Sequence, residues 1–123
     1  MKHKTIPKEM RQKVYDKYNG HCAYCGCKLE YKDMQVDHIN SVYVSMIVSG
    51  GVDECLENYM PSCRQCNFYK STFTLEAFRE RLITVLMKNL QKNFGYRLAL
   101  KYGLIEEKEK PIEFYFEKRG GRQ

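Results

Sequence analysis

Two cysteine pairs of the same spacing, Cys22-x2-Cys25 and Cys63-x2-Cys66, stand on either side of an Asp37-His38 dipeptide. Thiolates from two such knuckles can converge into the tetrahedral sulfur cage that zinc prefers, with Zn–S distances near ~2.3 Å. A closed set of four sulfurs leaves no open coordination position, so an ion there holds the fold and does no chemistry. A single CxxC would admit a thioredoxin-like redox pair, but that motif belongs in a βαβ context that nothing here suggests. Plain buried thiols are the other reading. Cys27 follows Cys25 too closely for both to ligate one ion in a knuckle and reads as a packed thiol, while Cys55 has no assigned role. Asp37-His38 joins a hard oxygen ligand to an imidazole that can accept a proton.

The elements that must position these residues can be read coarsely. Pro7, following Thr5, starts a helix carrying Met10, Val14 and Tyr18 on one side, and Asn19-Gly20 stops it. The first knuckle comes directly after. "MQVDHI", from Met34 to Ile39, reads as a short strand, and "SGGVDE", from Ser49 to Glu54, as a turn or loop before the second pair. Thr74 can cap a helix whose Leu75, Phe78, Leu82, Val85 and Leu86 recur at helical spacing, a stripe expected to be core. A further helix is expected from Tyr96 to Tyr102, ended by Gly103. "IEFYFEK" alternates Ile112, Phe114 and Phe116 with Glu113, Tyr115 and Glu117, which predicts a late, half-buried strand. Residues 119–123 read as a frayed tail.

At 123 residues the chain is expected to be one domain, with a core about 7–70 and an extension over 71–118. No apolar run approaches the roughly 18 residues of a membrane span, and the basic start leads into no apolar stretch, so a cytoplasmic protein with no membrane partner is expected. Reduced cysteines follow from that setting. The net charge of +6, from 21 Lys and Arg against 15 Asp and Glu, suits a polyanionic partner, though on charge alone a solvated surface is equally open.

Together, "CAYCG", "VDHI", paired glycines, "ENYMPSCRQCN" and the lysine of "CNFYK" resemble the HNH endonuclease family in its zinc-knuckle branch, over about Pro7 to Lys70. The resemblance implies an α+β fold: a ββα-metal core of two antiparallel strands and a helix gripping one divalent ion. Here that core would carry the four-cysteine zinc knuckle, the N-terminal helix, C-terminal helices and the late strand. It also implies a phage, bacterial or mobile-element setting and DNA as substrate. A lone unit of this kind would nick one strand, and double-strand cleavage would need a dimer or a protein partner. Asn58 corresponds to the family's middle asparagine, which pins the loop and orients the base.

The chemistry of the residues agrees with that resemblance. Phosphodiester hydrolysis needs an activated water, charge stabilisation and help for the leaving oxygen. His38 is the candidate general base, and Asp37 a carboxylate ligand for Mg2+ or Mn2+. Asn67 offers an amide oxygen as second ligand where many family members use His, which favours hard ions. Lys70, one helical turn from Asn67, is expected to meet a substrate phosphate, with Arg64 as a further substrate-binding cation. A regular strand sends Asp37 and His38 to opposite faces, so a bulge or strand end must bring both to one phosphate. His3 and His21 are weaker candidates, His21 lying beside the knuckle. The segment between His38 and Asn58 lacks the family's proline and carries an apolar "VYVSMIV" at 42–48, read as core or partner surface. The competing class is a non-catalytic zinc-knuckle module that binds nucleic acid or protein, such as a phage or mobile-element inhibitor.

Overall fold

The computed structural model describes residues 6–39 and 56–120. His3, Cys55, the Ser49–Glu54 turn, the apolar 42–48 segment and the last three residues lie outside the described residues. The described chain falls into two compact units, Met1–Leu75 with Glu113–Gln123, and Glu76–Ile112.

The first unit opens with helix α1, Lys8–Asp16, for which Pro7 is the N-cap; the Pro7 carbonyl accepts the Arg11 N–H at 2.9 Å. Val14 is its buried anchor. The helix gives way to a turn with Asn19 at φ 55° and Gly20 at φ 77°. A side chain at position 20 would also collide with the Tyr15 hydroxyl, 2.8 Å from where its Cβ would stand. Arg11 and Lys17, in α1 and just past its end, clamp the backbone leading into the two strands. Arg11 donates to the carbonyls of Tyr31 and Met34, both at 2.9 Å, and Lys17 donates to those of Leu56 (2.8 Å) and Tyr59 (2.7 Å). One helix thereby fixes the entry to both strands.

Strand β1, Gln35–His38, pairs antiparallel with β2, Tyr59–Ser62, in the register Gln35↔Ser62, Val36↔Pro61, Asp37↔Met60 and His38↔Tyr59. All of β2 is buried. Pro61 is tolerated because a two-stranded sheet leaves each strand an outer edge where no ladder N–H is needed, and its carbonyl takes the Ala23 N–H at 2.8 Å. Helix α2, Arg64–Lys70, follows β2 directly and ends at Ser71, φ 52°. The order β1–β2–α2 is the ββα core.

The second unit is helical. Helix α3, Leu75–Arg81, continues through a π-helical stretch, Leu82–Leu86, into α4, Met87–Gln91; α5, Phe94–Lys101, is capped by Asn93, whose side chain accepts the Tyr96 N–H at 2.8 Å. Gln91 and Tyr96 both bond the Glu107 carboxylate. The apolar stripe is less buried than its spacing predicts. Phe78 is buried, but Leu86 is exposed. Bonds from i to i+5 insert an extra residue per turn, so the stripe drifts off the face that a 3.6-residue period assigns it.

The late strand is absent among the described residues and is replaced by helix α6, Tyr115–Gly120, in the first unit. The N–H groups of Tyr115 and Phe116 go to the carbonyls of Tyr24 (3.0 Å) and Ala23 (2.8 Å) rather than to a sheet edge. Glu117 accepts the Phe114 N–H at 2.9 Å, the reciprocal bond of a capping box, and this starts a helix just where the aromatic alternation suggests extension. Among the described residues no helix is long and apolar enough to cross a membrane.

Candidate metal centre and active site

The knuckle Cys22–Cys25 is a backbone device. The Cys22 carbonyl takes the Gly26 N–H at 3.0 Å, and the Cys22 N–H goes to the Cys27 carbonyl at 2.8 Å. Gly26 closes the turn at φ +84°, a conformation that disfavours side chains, with the Tyr115 ring 2.8 Å from where a Cβ would lie. The second knuckle is the N-terminus of α2, where the Cys63 sulfur accepts the Cys66 N–H at 3.4 Å. Ala23 joins the two by its bond to Pro61.

The sulfurs of Cys22, Cys25, Cys63 and Cys66 all lie within 4.8 Å of one another, and Cys25 Sγ stands 3.9 Å from Cys63 Sγ. Four thiolates around one tetrahedral ion require about 3.8 Å between sulfurs, given metal–sulfur bonds near ~2.3 Å. The set therefore fits a metal ion. The Cys22 thiol is pushed down to about 4, first by the hydrogen bond from Cys66 and further by backbone N–H groups of Cys63, Cys25 and Tyr24, with burial opposing. Cys66, as donor, is pushed up. Cys27 is outside the set and exposed, not packed as expected; its thiol is raised to about 12, first by desolvation and then by Cys25. His21 stacks on Tyr115 beside the knuckle, centroids 5.4 Å apart.

Asp37 and Lys70 form a buried ion pair. Lys70 Nζ lies 3.0 Å from Asp37 Oδ2 and donates to the His38 carbonyl at 2.9 Å, with the lysine side chain at 0% exposure and the aspartate side chain at 7%. This corrects the expectation that Lys70 meets a substrate phosphate: its ammonium is shut inside and committed to Asp37. Tyr24 completes the cluster, its hydroxyl donating to the same Oδ2 at 2.5 Å. Burial, then the nearby Asp37 charge, pushes the Tyr24 phenol upward.

Asn67 sits one helical turn before Lys70, half-buried, and its amide nitrogen reaches Gln35 Oε1 at 3.5 Å. Gln35 and Asp37 share one face of β1, so α2 runs along that face with Asn67 against the first and Lys70 against the second. Among the described residues, no hydrogen bond engages the second oxygen of Asp37 or the amide oxygen of Asn67. These are the hard donors a divalent ion of the magnesium type takes, so this pair also fits an ion.

His38 is 6% exposed and edge-on to its cross-strand partner Tyr59 at 5.2 Å. No bulge is present in the register, and His38 stands at the strand end. Asn58 is buried, and its carbonyl takes the Ile39 N–H at 2.9 Å, tying the chain just beyond His38 to the start of β2. Arg64 is exposed on the first turn of α2 and borders a surface groove with Lys28, Lys32 and Gln35. Sequence reasoning missed Tyr24 and Gln35. The position of Tyr24 between Cys22 and Cys25 was the available signal, but which carboxylate it meets is a tertiary matter.

The family comparison falls on this same region. Residues 22–73 match the family described as HNH endonuclease. A solved structure, the Type II-C Cas9 enzyme from Actinomyces naeslundii, is similar with a TM-score of 0.52 and 23% identity, over 66% of this chain and 8% of that chain. At that identity the likeness is one of fold. No curated protein matches the chain. The knuckles, the β1–β2–α2 core and the match to the HNH endonuclease family model coincide over residues 22–73.

Proposed function

We propose that this chain is a metal-dependent DNA endonuclease whose fold is held by zinc at Cys22, Cys25, Cys63 and Cys66. The observation that carries the reading is the alignment of α2 along β1, which sets Asp37 and Asn67 on one side of the core, each with an oxygen to spare. Four thiolates select zinc over hard ions, whereas a carboxylate and an amide oxygen select Mg2+ or Mn2+. An ion held by Asp37 and Asn67 would neutralise charge developing on the scissile phosphate and the leaving oxygen.

The chain's own residues supply the rest. His38 takes the proton from the attacking water. Asn58 fixes the backbone just past His38 and so holds the base in place. Lys70 serves by fixing Asp37 and the His38 carbonyl, and Arg64 stands outside as a phosphate-binding cation. The net charge of +6 suits a DNA partner, and thiolate ligation requires the reducing conditions of a cell interior.

A second reading, a non-catalytic binding module on the same scaffold, is favoured by one feature: both Asp37 and His38 are only 6% exposed. Incubation of the purified, zinc-loaded protein with supercoiled plasmid in Mg2+, Mn2+ or EDTA separates the two. The nuclease reading requires nicking with at least one metal and none in EDTA. No nicking over a broad protein range establishes the binding module instead.

A further inference from the structure

Tyr24 lies within the first knuckle yet points its hydroxyl at the carboxylate of β1. Its surroundings leave it one pose. The ring meets Phe114 edge-on, centroids 5.5 Å apart at 79°, and Phe116 at 6.3 Å and 87°. Its N–H bonds the Cys22 sulfur at 3.4 Å, and its carbonyl takes the Tyr115 N–H at 3.0 Å. The side chain is almost wholly buried. A phenol held this way on both sides of its backbone and around its ring cannot follow the carboxylate; the carboxylate must follow it.

We infer that Tyr24 is a positioning residue for Asp37: with Lys70 it occupies Oδ2, turning the other oxygen out as the single ligand atom for the catalytic ion. The inference rests on the nuclease reading. Oδ2 receives a hydroxyl at 2.5 Å and an ammonium at 3.0 Å, so its accepting capacity is spent and the carboxylate plane is fixed by two directions. A ligand oriented by outer hydrogen bonds loses metal affinity when those bonds are cut, commonly 10- to 100-fold. Because Tyr24 lies between Cys22 and Cys25, the residue that orients Asp37 shares one segment with two of the four knuckle cysteines.

Tyr24→Phe removes the hydroxyl and keeps the ring among Phe114 and Phe116. Mn2+ affinity is measured calorimetrically on zinc-loaded wild type and variant, alongside zinc content and plasmid nicking against Mn2+ concentration. Weakening of Mn2+ binding by about 10-fold is expected, with zinc retained and the maximal nicking rate approached again at saturating Mn2+. p-Aminophenylalanine installed at position 24 restores a donor and is expected to restore the affinity, which separates positioning from packing even if the phenylalanine variant is less stable. Equal Mn2+ affinity in wild type and Tyr24→Phe overturns the role of Tyr24 while leaving the ion site intact. Absence of Mn2+ binding by the wild type refutes the ion site itself, and with it any role of Tyr24 toward an ion.

Discussion

The four-cysteine cluster reaches the surface at Cys25, whereas the cluster of Asp37, Lys70 and Tyr24 is almost wholly buried in the first unit, with only Asp37 keeping a small exposed fraction. The two also differ in what holds them. Each knuckle is shaped by its own backbone, through the turn at Gly26 and the N-terminus of α2, and only the meeting of the knuckles is tertiary. The buried cluster has no local logic: a residue of a knuckle, one of a strand and one of a helix meet only because β1, β2 and α2 pack as they do. Charge near the surface tolerates loss of a partner because water replaces it, while a charge inside does not. The comparison therefore predicts which substitutions unfold the protein and which merely weaken it.

Loss of a knuckle ligand should have the largest effect. Structural zinc contributes on the order of 10 kcal/mol of apparent binding free energy in small domains, comparable to the whole stability of a domain this size. Cys63→Ser is expected to lose bound zinc and the cooperative melting transition. A soluble variant with unchanged melting would remove Cys63 from the metal set.

Lys70→Ala comes next. It strands the Asp37 carboxylate in the interior, an effect of about 3–5 kcal/mol, and urea unfolding reads it directly. Replacing Asp37 and Lys70 together by apolar residues should recover most of that loss, since no buried charge then remains. If Lys70→Ala costs no more than an exposed lysine, the ion pair is not closed to water and the contrast between the clusters collapses.

The smallest change in stability belongs to Arg64→Ala, because the side chain is exposed and surface substitutions stay within about 0.5 kcal/mol. Its effect should appear in DNA binding, as a uniform loss of affinity and a salt slope reduced by about 1. A melting shift as large as that of Lys70→Ala would place Arg64 in the scaffold instead.

The same contrast explains what the sequence disclosed. The knuckles, β1 and the stop after α1 were legible because spacing, β-formers and Asn19-Gly20 act locally. The late strand misled because Phe114 and Phe116 alternate like strand residues, yet their partner is the Tyr24 ring and the backbone bonds of Tyr115 and Phe116 go to Tyr24 and Ala23. The stripe from Leu75 to Leu86 misled because a π-helical stretch broke its period. Lys70 was read as a phosphate contact because a lysine one turn from Asn67 looks solvent-facing until α2 is laid along β1.

The central claim is that His38, at the end of a strand braced by the knuckle, is the base of a nuclease. Its most direct test is the nicking rate of zinc-loaded wild type and His38→Ala on supercoiled DNA in Mn2+, with DNA affinity, zinc content and melting measured on the same samples. The account predicts a fall of roughly 100-fold or more in the variant, with zinc and DNA binding retained. Nicking by His38→Ala at the wild-type rate would contradict it.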